Sequence, residues 1–283
     1  MTPWLLAARP KTLSAAVVPV LMGSALAAHE PPGVTWWVFW CALIGAVLIQ
    51  IATNLINDAI DYKKGADTAE RLGPVRVTQA GLITPRRVMT AAYLCLCGAA
   101  LCGIPLIARC GWPMVAIGVA SIVMAYAYTG GPFPLAYRGL GEIFVLLFFG
   151  FIAVGGTFYA HALQWNAKAA LAGFAAGSLA TVLLVINNLR DVQGDRRVDK
   201  RTTVVRFGEG FARFEIAVFV LAPFAAVAFI APRYLLTQIA LPFALLIIVR
   251  TMRAHGAELN RSLALAGALQ WAFGLLFVAG NLI

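Results

Sequence analysis

Apolar residues in this chain fall into long blocks, and polar residues are confined to the short segments between them. Nine runs approach the roughly 20 residues a helix needs to cross a bilayer. They cover residues 13–28, 34–57, 86–107, 112–129, 140–161, 168–189, 212–230, 234–250 and 264–282. None alternates with the two-residue period of a half-buried strand. The pattern predicts an all-α membrane protein of nine transmembrane helices, forming a single polytopic domain over residues 1–283. Residues 9–28 carry an A-L-A-A-H stretch (25–29) that resembles a leader cleavage site. A Pro-kinked first span fits them better.

Composition agrees. Of 283 residues 61% are hydrophobic and only 12% charged, with mean hydropathy +0.84. Soluble domains average about 45–50% apolar and about 25% charged residues. The formal charge of +10 is strongly sided, because of the 22 Lys+Arg only Arg109, Lys168 and Arg233 fall in the odd-numbered connections facing one way. The positive-inside rule puts the N-terminus in the cytoplasm and, with nine spans, the C-terminus outside the cell (inner) membrane. No nucleic-acid motif is present. The five Cys sit in or at the ends of apolar runs without zinc-site spacing and read as small hydrophobes. His29, His161 and His255 share no face with the acids.

Two polar clusters break the pattern. Span two ends in N-L-I-N-D-A-I-D-Y-K-K-G-A-D (54–67), and span six in I-N-N-L-R-D-V-Q-G-D-R-R-V-D (186–199). Residues three and four apart share a helix face. Asn54, Asp58 and Asp61 therefore stack on one side, with Asn57 beside them, and Asn187, Asp191 and Asp195 repeat the arrangement. Both spans run toward the cytoplasm. Each cluster is followed by R-x4-R, Arg71/Arg76 and Arg201/Arg206, at an offset of 130 residues. Four spans separate the copies, which predicts two parallel four-helix pseudo-repeats plus a ninth helix.

A helix C-terminus carries partial negative charge and disfavours carboxylates. Two acid stacks at two such ends are locally unfavourable, and such conflicts mark functional sites. A divalent cation resolves the conflict, since Mg²⁺ takes one or two carboxylates together with water and substrate phosphate. The neighbouring cations suit the phosphates. Solvated connecting loops would also accommodate the acids. A divalent-cation or lipid-phosphate transporter would explain the acids but not the paired arginines.

At these residues the chain resembles the UbiA superfamily of intramembrane prenyltransferases. The likeness is carried by A-A-R-P-K-T (7–12), N-L-I-N-D-A-I-D (54–61) with G-A-D (65–67), G-P-V-R (73–76), Y-T-G-G-P (128–132), L-G-E (140–142) and N-N-L-R-D-V-Q-G-D (187–195). G-x-D, G-P-x-R and N-N-L-R-D-x-x-x-D are most similar to those of members that prenylate 1,4-dihydroxy-2-naphthoate to form demethylmenaquinone. The resemblance implies a helical bundle around a central cavity, with a polyprenyl diphosphate as donor and a small aromatic acid as acceptor. It also implies two Mg²⁺ ions, held by Asn54, Asp58, Asp61, Asp191 and Asp195. On this reading Asp58, Asp61, Asp191, Asp195 and Tyr128 are catalytic, while Arg76, Lys200 and Arg206 neutralise the diphosphate. Asn187, Asn188 and Tyr126 belong to the substrate cavity, and Tyr126 and Tyr128 offer π-faces to an allylic cation. Asp67 is set aside as a loop residue. Phe144, Phe148, Phe149 and Phe158 are read as packing or lipid-facing. Another acceptor, such as 4-hydroxybenzoate or homogentisate, remains open, because Ala59 stands where the pattern has an aromatic residue.

Overall fold

The computed structural model describes residues 2–66 and 72–282. Asp67 and Arg71, both named above, lie outside the described residues. Among those residues every regular element is helical. Its α-helices are α1 (Pro3–Ala8), α2 (Ser14–Ala27), α3 (Trp36–Lys63), α4 (Pro85–Cys110), α5 (Trp112–Ala127) and α6 (Gly141–Val145). They continue with α7 (Ala153–Ala162), α8 (Ala167–Arg197), α9 (Thr203–Val227), α10 (Leu241–Arg253) and α11 (Leu259–Ala279).

Among the described residues seven helices are long and apolar enough to cross a membrane; one of these joins α6 and α7, and another joins α10 to the 3₁₀ turns before it. Arg9, in the left-handed region at φ 51°, ends α1, so α1 and α2 form a broken span bent by 48°. Counting that pair gives eight, and α5 is a shorter apolar helix of 16 residues. The nine expected runs thus correspond to seven full-length helices, one broken span and one short helix.

The 31-residue α8 is the axis of the bundle. Buried Ala172, Ala176, Leu179, Val185 and Ile186 anchor a core shared with α2, α9, α10 and α11. A second core joins α3, α4 and the connection between them through Ile56, Ala59, Val77, Val88 and Ala92. α3 packs along α4 as α8 packs along α9, so each acid-bearing helix has an equivalent next neighbour.

The span from Gly141 to Ala162 opens into a π-helical stretch at Leu146–Ile152. Such bulges often mark functional sites. Here backbone lies against backbone: a Cβ on Gly177 would come 2.6 Å from the Leu146 carbonyl oxygen, and one on Gly173 would come 3.0 Å from the Phe151 Cα. Small residues permit that approach, as at helix crossings in membranes. α9 is interrupted at Gly208, whose φ of 86° and ψ of 171° lie outside the helical region. That break sets a short first turn, capped by the Thr202 hydroxyl, apart from the long apolar helix.

Candidate active site

A cavity of about 540 Å³ lies between the two halves. One end is apolar, walled by Ile49, Leu106, Ile117, Phe144 and Phe148, and the other carries Asn54, Asn57, Asp61, Arg76, Asn187 and Lys200. Phe144, Phe148 and Phe149 are cavity residues, with the first two rings stacked 6.0 Å apart. The reading that set them aside as packing or lipid-facing is corrected for these three. The π-helical stretch holds Phe148 and Phe149, and it turns their face inward. Phe158 is fully buried core.

The polar end is built around Asp61. Arg76 donates to one carboxylate oxygen at 3.3 Å, and the Tyr137 hydroxyl donates to the other at 2.9 Å. The Tyr137 ring in turn faces two ammonium groups, Lys64 at 4.0 Å and Lys200 at 5.8 Å from its centroid. Lys64 also donates to the Thr129 carbonyl at 2.8 Å. Lys200 donates to Asp195 at 3.2 Å. Tyr137 thus joins the first acid cluster to the second. It stands in the connection after α5, held by the Arg201 amide donating to its carbonyl at 3.1 Å. Burial alone would push Lys200 down; the carboxylates of Asp195, Asp61 and Asp191 outweigh it and hold the ammonium above its ordinary value.

On α8, Arg190 grips both oxygens of Asp191, at 2.8 and 2.7 Å, and donates to Asn187 at 2.5 Å and Asn260 at 2.8 Å. The Arg190 side chain is only 1% exposed, so it orients the second cluster from within the bundle. Asn54 donates to the Ala8 carbonyl and to Thr12 Oγ1, both at 3.0 Å, tying α3 to the break between α1 and α2. Tyr128 and Asn188 line the cavity. Ala59 does not: it is fully buried in the α3–α4 core, so a missing aromatic ring there leaves the cavity wall unchanged.

Three expected site residues lie elsewhere. Asp58 is 1% exposed, and its carboxylate accepts from the Val77 amide (3.1 Å), the Thr78 amide (3.0 Å) and the Thr78 hydroxyl. At about 100° per residue Asp58 sits some 60° around the helix from Asp61, enough to face the 73–83 loop and not the cavity. Its place in the polar cluster is taken by Asn57, which lines the cavity and accepts from the Thr129 hydroxyl. This corrects the repeat register, since Asn57/Asp61 and Asn187/Asp191 are related by the same 130-residue offset as the arginine pairs. Tyr126 is 39% exposed and faces an outer groove with Lys63 and Arg86. Residues two apart lie about 200° apart on a helix, so Tyr126 and Tyr128 cannot share a wall. Arg206 is exposed and donates to the Arg138 carbonyl at 2.8 Å, bracing a loop. Arg201 pairs on the surface with Asp199 at 2.9 Å.

The residues present fit Mg²⁺. Asp195 Oδ2 is buried without a hydrogen-bond partner, a hard oxygen donor left open. Among the described residues no three His, Cys, Asp or Glu converge as a ready-made cage. Mg²⁺ needs none, because it retains water and takes substrate phosphates as ligands.

An apolar cavity closed at one end by carboxylates, amides and cations suits an amphiphile with an anionic head. The chain belongs to the UbiA prenyltransferase family, which it matches over residues 16–274. It is 41% identical over 210 residues to a 1,4-dihydroxy-2-naphthoate octaprenyltransferase of Mycobacterium tuberculosis, covering 74% of this chain and 71% of that protein. It is 40% identical over 223 residues to the Escherichia coli protein of the same name, covering 74% and 70%. A UbiA homolog from Archaeoglobus fulgidus, bound to DMAPP and Mg²⁺, superposes with a TM-score of 0.66 at 15% identity, over 98% of this chain and 99% of that one. That likeness establishes the fold.

Proposed function

We propose that the protein transfers a polyprenyl group from a polyprenyl diphosphate to 1,4-dihydroxy-2-naphthoate in menaquinone biosynthesis, with two Mg²⁺ ions. The acceptor reading is supported by the two relatives of that name, each matched over more than two thirds of its length. The single structural observation that carries the chemistry is that Asp61, Arg76 and Lys200 line one end of an apolar cavity, with Asp195 paired to Lys200 behind them.

Asp61, Asp191 and Asp195 would hold the metal, with amide oxygens of Asn54, Asn57 and Asn187 beside them. When bound, Mg²⁺ neutralises the diphosphate and stabilises the charge that grows on it as the C–O bond breaks. Arg76 and Lys200 supply fixed positive charge at the same place, preorganised by Asp61 and Asp195. Tyr137 keeps both lysines and Asp61 in register. Phe144, Phe148 and Phe149 pack the prenyl chain and, with Tyr128, exclude water from the allylic cation. A chain longer than the cavity leaves sideways into lipid. The site faces the cytoplasm of the cell (inner) membrane, on the side where the basic connections gather.

The test is incubation of membranes containing the protein with a labelled polyprenyl diphosphate and Mg²⁺, with each of dihydroxynaphthoate, 4-hydroxybenzoate and homogentisate. Prenylated naphthoquinol is expected, and chelation with EDTA should abolish it until Mg²⁺ is restored. Product from 4-hydroxybenzoate alone would sink the acceptor assignment.

A further inference from the structure

Glu142, at the start of α6, lines the cavity and is only 6% exposed. Its Oε1 accepts from the Asn188 amide at 3.2 Å and the Thr203 hydroxyl at 2.8 Å. Both donors are neutral. Among the described residues no Lys, Arg or His pairs with Glu142, and its Oε2 takes no hydrogen bond at all. The titratable groups facing it are Tyr128, from the end of α5, and Glu215, from α9. Tyr128 Oη would lie 3.2 Å from a Cβ on the neighbouring Gly141, and Glu215 shares the Thr203 hydroxyl at 3.4 Å. Asp61 and Asp195 are within electrostatic reach of the same Tyr128. Asp61, Asp191 and Asp195 each have a cation and Asp58 has backbone amides, whereas Glu215, outside the cavity lining, has the Thr203 hydroxyl. Of the two carboxylates lining the cavity among the described residues, Asp61 has Arg76 and Glu142 has no cation, a costly arrangement at membrane depth that marks function.

We propose that Glu142 is the general base for the acceptor, taking the proton of the ring hydroxyl as the new bond forms. This rests on the acceptor reading above. The C–O bond of the donor breaks with its electron pair leaving on the diphosphate. The ring carbon beside the hydroxyl forms the new C–C bond while the O–H pair becomes part of a carbonyl and the proton passes to Glu142 Oε2. The carboxylate on that carbon then leaves as CO₂. Its bonding pair restores the aromatic ring, and Glu142 returns the proton to the oxygen. No proton is gained or lost over the cycle, so a base without a path to bulk water suffices. Asn188 and Thr203 position the carboxylate, and their two hydrogen bonds to one oxygen leave the other as the basic one.

The experiment compares the full-length wild type with Glu142→Gln and Glu142→Asp in detergent, using dihydroxynaphthoate, Mg²⁺ and a polyprenyl diphosphate. Binding of an unreactive thiolo-diphosphate analogue of the donor serves as the control for an intact fold. Glu142→Gln is expected to lose about 100-fold or more in kcat, while donor-analogue affinity stays within about two-fold. Its residual rate should climb with pH as the acceptor's own hydroxyl ionises, and Glu142→Asp should recover part of the loss. A Glu142→Gln enzyme that binds the analogue and keeps wild-type kcat, or the wild-type pH profile, overturns the proposal. If Glu142→Gln fails to bind the analogue, Glu142→Asp decides: a lowered kcat with a shifted pH profile supports the base, and unchanged kinetics overturn it. Wild-type enzyme that prenylates only 4-hydroxybenzoate refutes the acceptor reading instead. The same variants, assayed on that acceptor, still read out Glu142.

Discussion

Asp58 and Asp61 stand three positions apart in one motif and do different work. Asp61 meets Arg76, Tyr137 and the cavity, whereas Asp58 clasps the amides of Val77 and Thr78. Asp61→Asn should therefore cut turnover by at least about 100-fold and raise the Mg²⁺ needed for half activity, since on the proposed function it removes a ligand charge where transition-state charge develops. Asp58→Asn should leave the Mg²⁺ requirement unchanged. Its cost falls on the loop, about 1–3 kcal/mol for amides left poorly matched, readable as a lower unfolding midpoint. A Mg²⁺ titration on both variants separates the roles, and equal shifts would refute the division. The sequence alone points to Asp61, Asp191, Asp195, Arg76 and Lys200, because acids at an apolar helix end violate local electrostatics. It gives no such signal for Tyr137, an ordinary aromatic in a Gly- and Pro-rich connection, or for Arg190, which reads as one more interfacial cation. Both matter only through partners far away in sequence.

Among the elements, α8 and the π-helical span beside it shape the apolar end of the cavity. Their backbones touch at Gly150, Gly173 and Gly177. Gly177→Leu would drive a side chain into the Leu146 carbonyl and push the Phe148–Phe149 wall aside. A loss of about 1–3 kcal/mol or more is expected for such overpacking, with weaker binding of long-chain donors. Thermal unfolding in detergent and a donor-analogue titration check both, and an unchanged variant would show that the contact is dispensable. Periodicity announces these helices well, because a span is an uninterrupted apolar run whatever its neighbours. It does not announce the π-helical opening, the break at Arg9 or the kink at Gly208. Each of those depends on one or two dihedral angles set by packing. It is also silent on which Phe faces lipid and which faces the cavity, since in a membrane both surroundings are apolar.

For the molecule as a whole, charge placement predicts orientation. With the basic connections in the cytoplasm, alkaline phosphatase fused at the C-terminus should be active in cells and green fluorescent protein at the same place should be dark. The opposite pair of results would invert the topology and move the acid clusters to the outer face. The pseudo-repeat was readable because two copies of a motif share spacing and charge order. Its register was not, since Asn54/Asp58 and Asn57/Asp61 each offer an amide and an acid four apart, and only the folded chain selects the second pair.

Tyr137 also bears on how the protein is made. It sits in the connection between the halves, its hydroxyl on Asp61 behind it in sequence and its carbonyl held by Arg201 ahead of it. Synthesis runs from the first residue to the last. When the early helices enter the bilayer, Asp61 and Tyr137 arrive without Lys200 or Asp195, which are still to be translated. On the proposed function, a nascent chain stopped before Lys200 lacks half of the diphosphate site and should not release a reactive cation into the membrane. On that assignment activity should begin only once the second acid-bearing helix has been delivered, and the order of assembly itself would guard against premature chemistry.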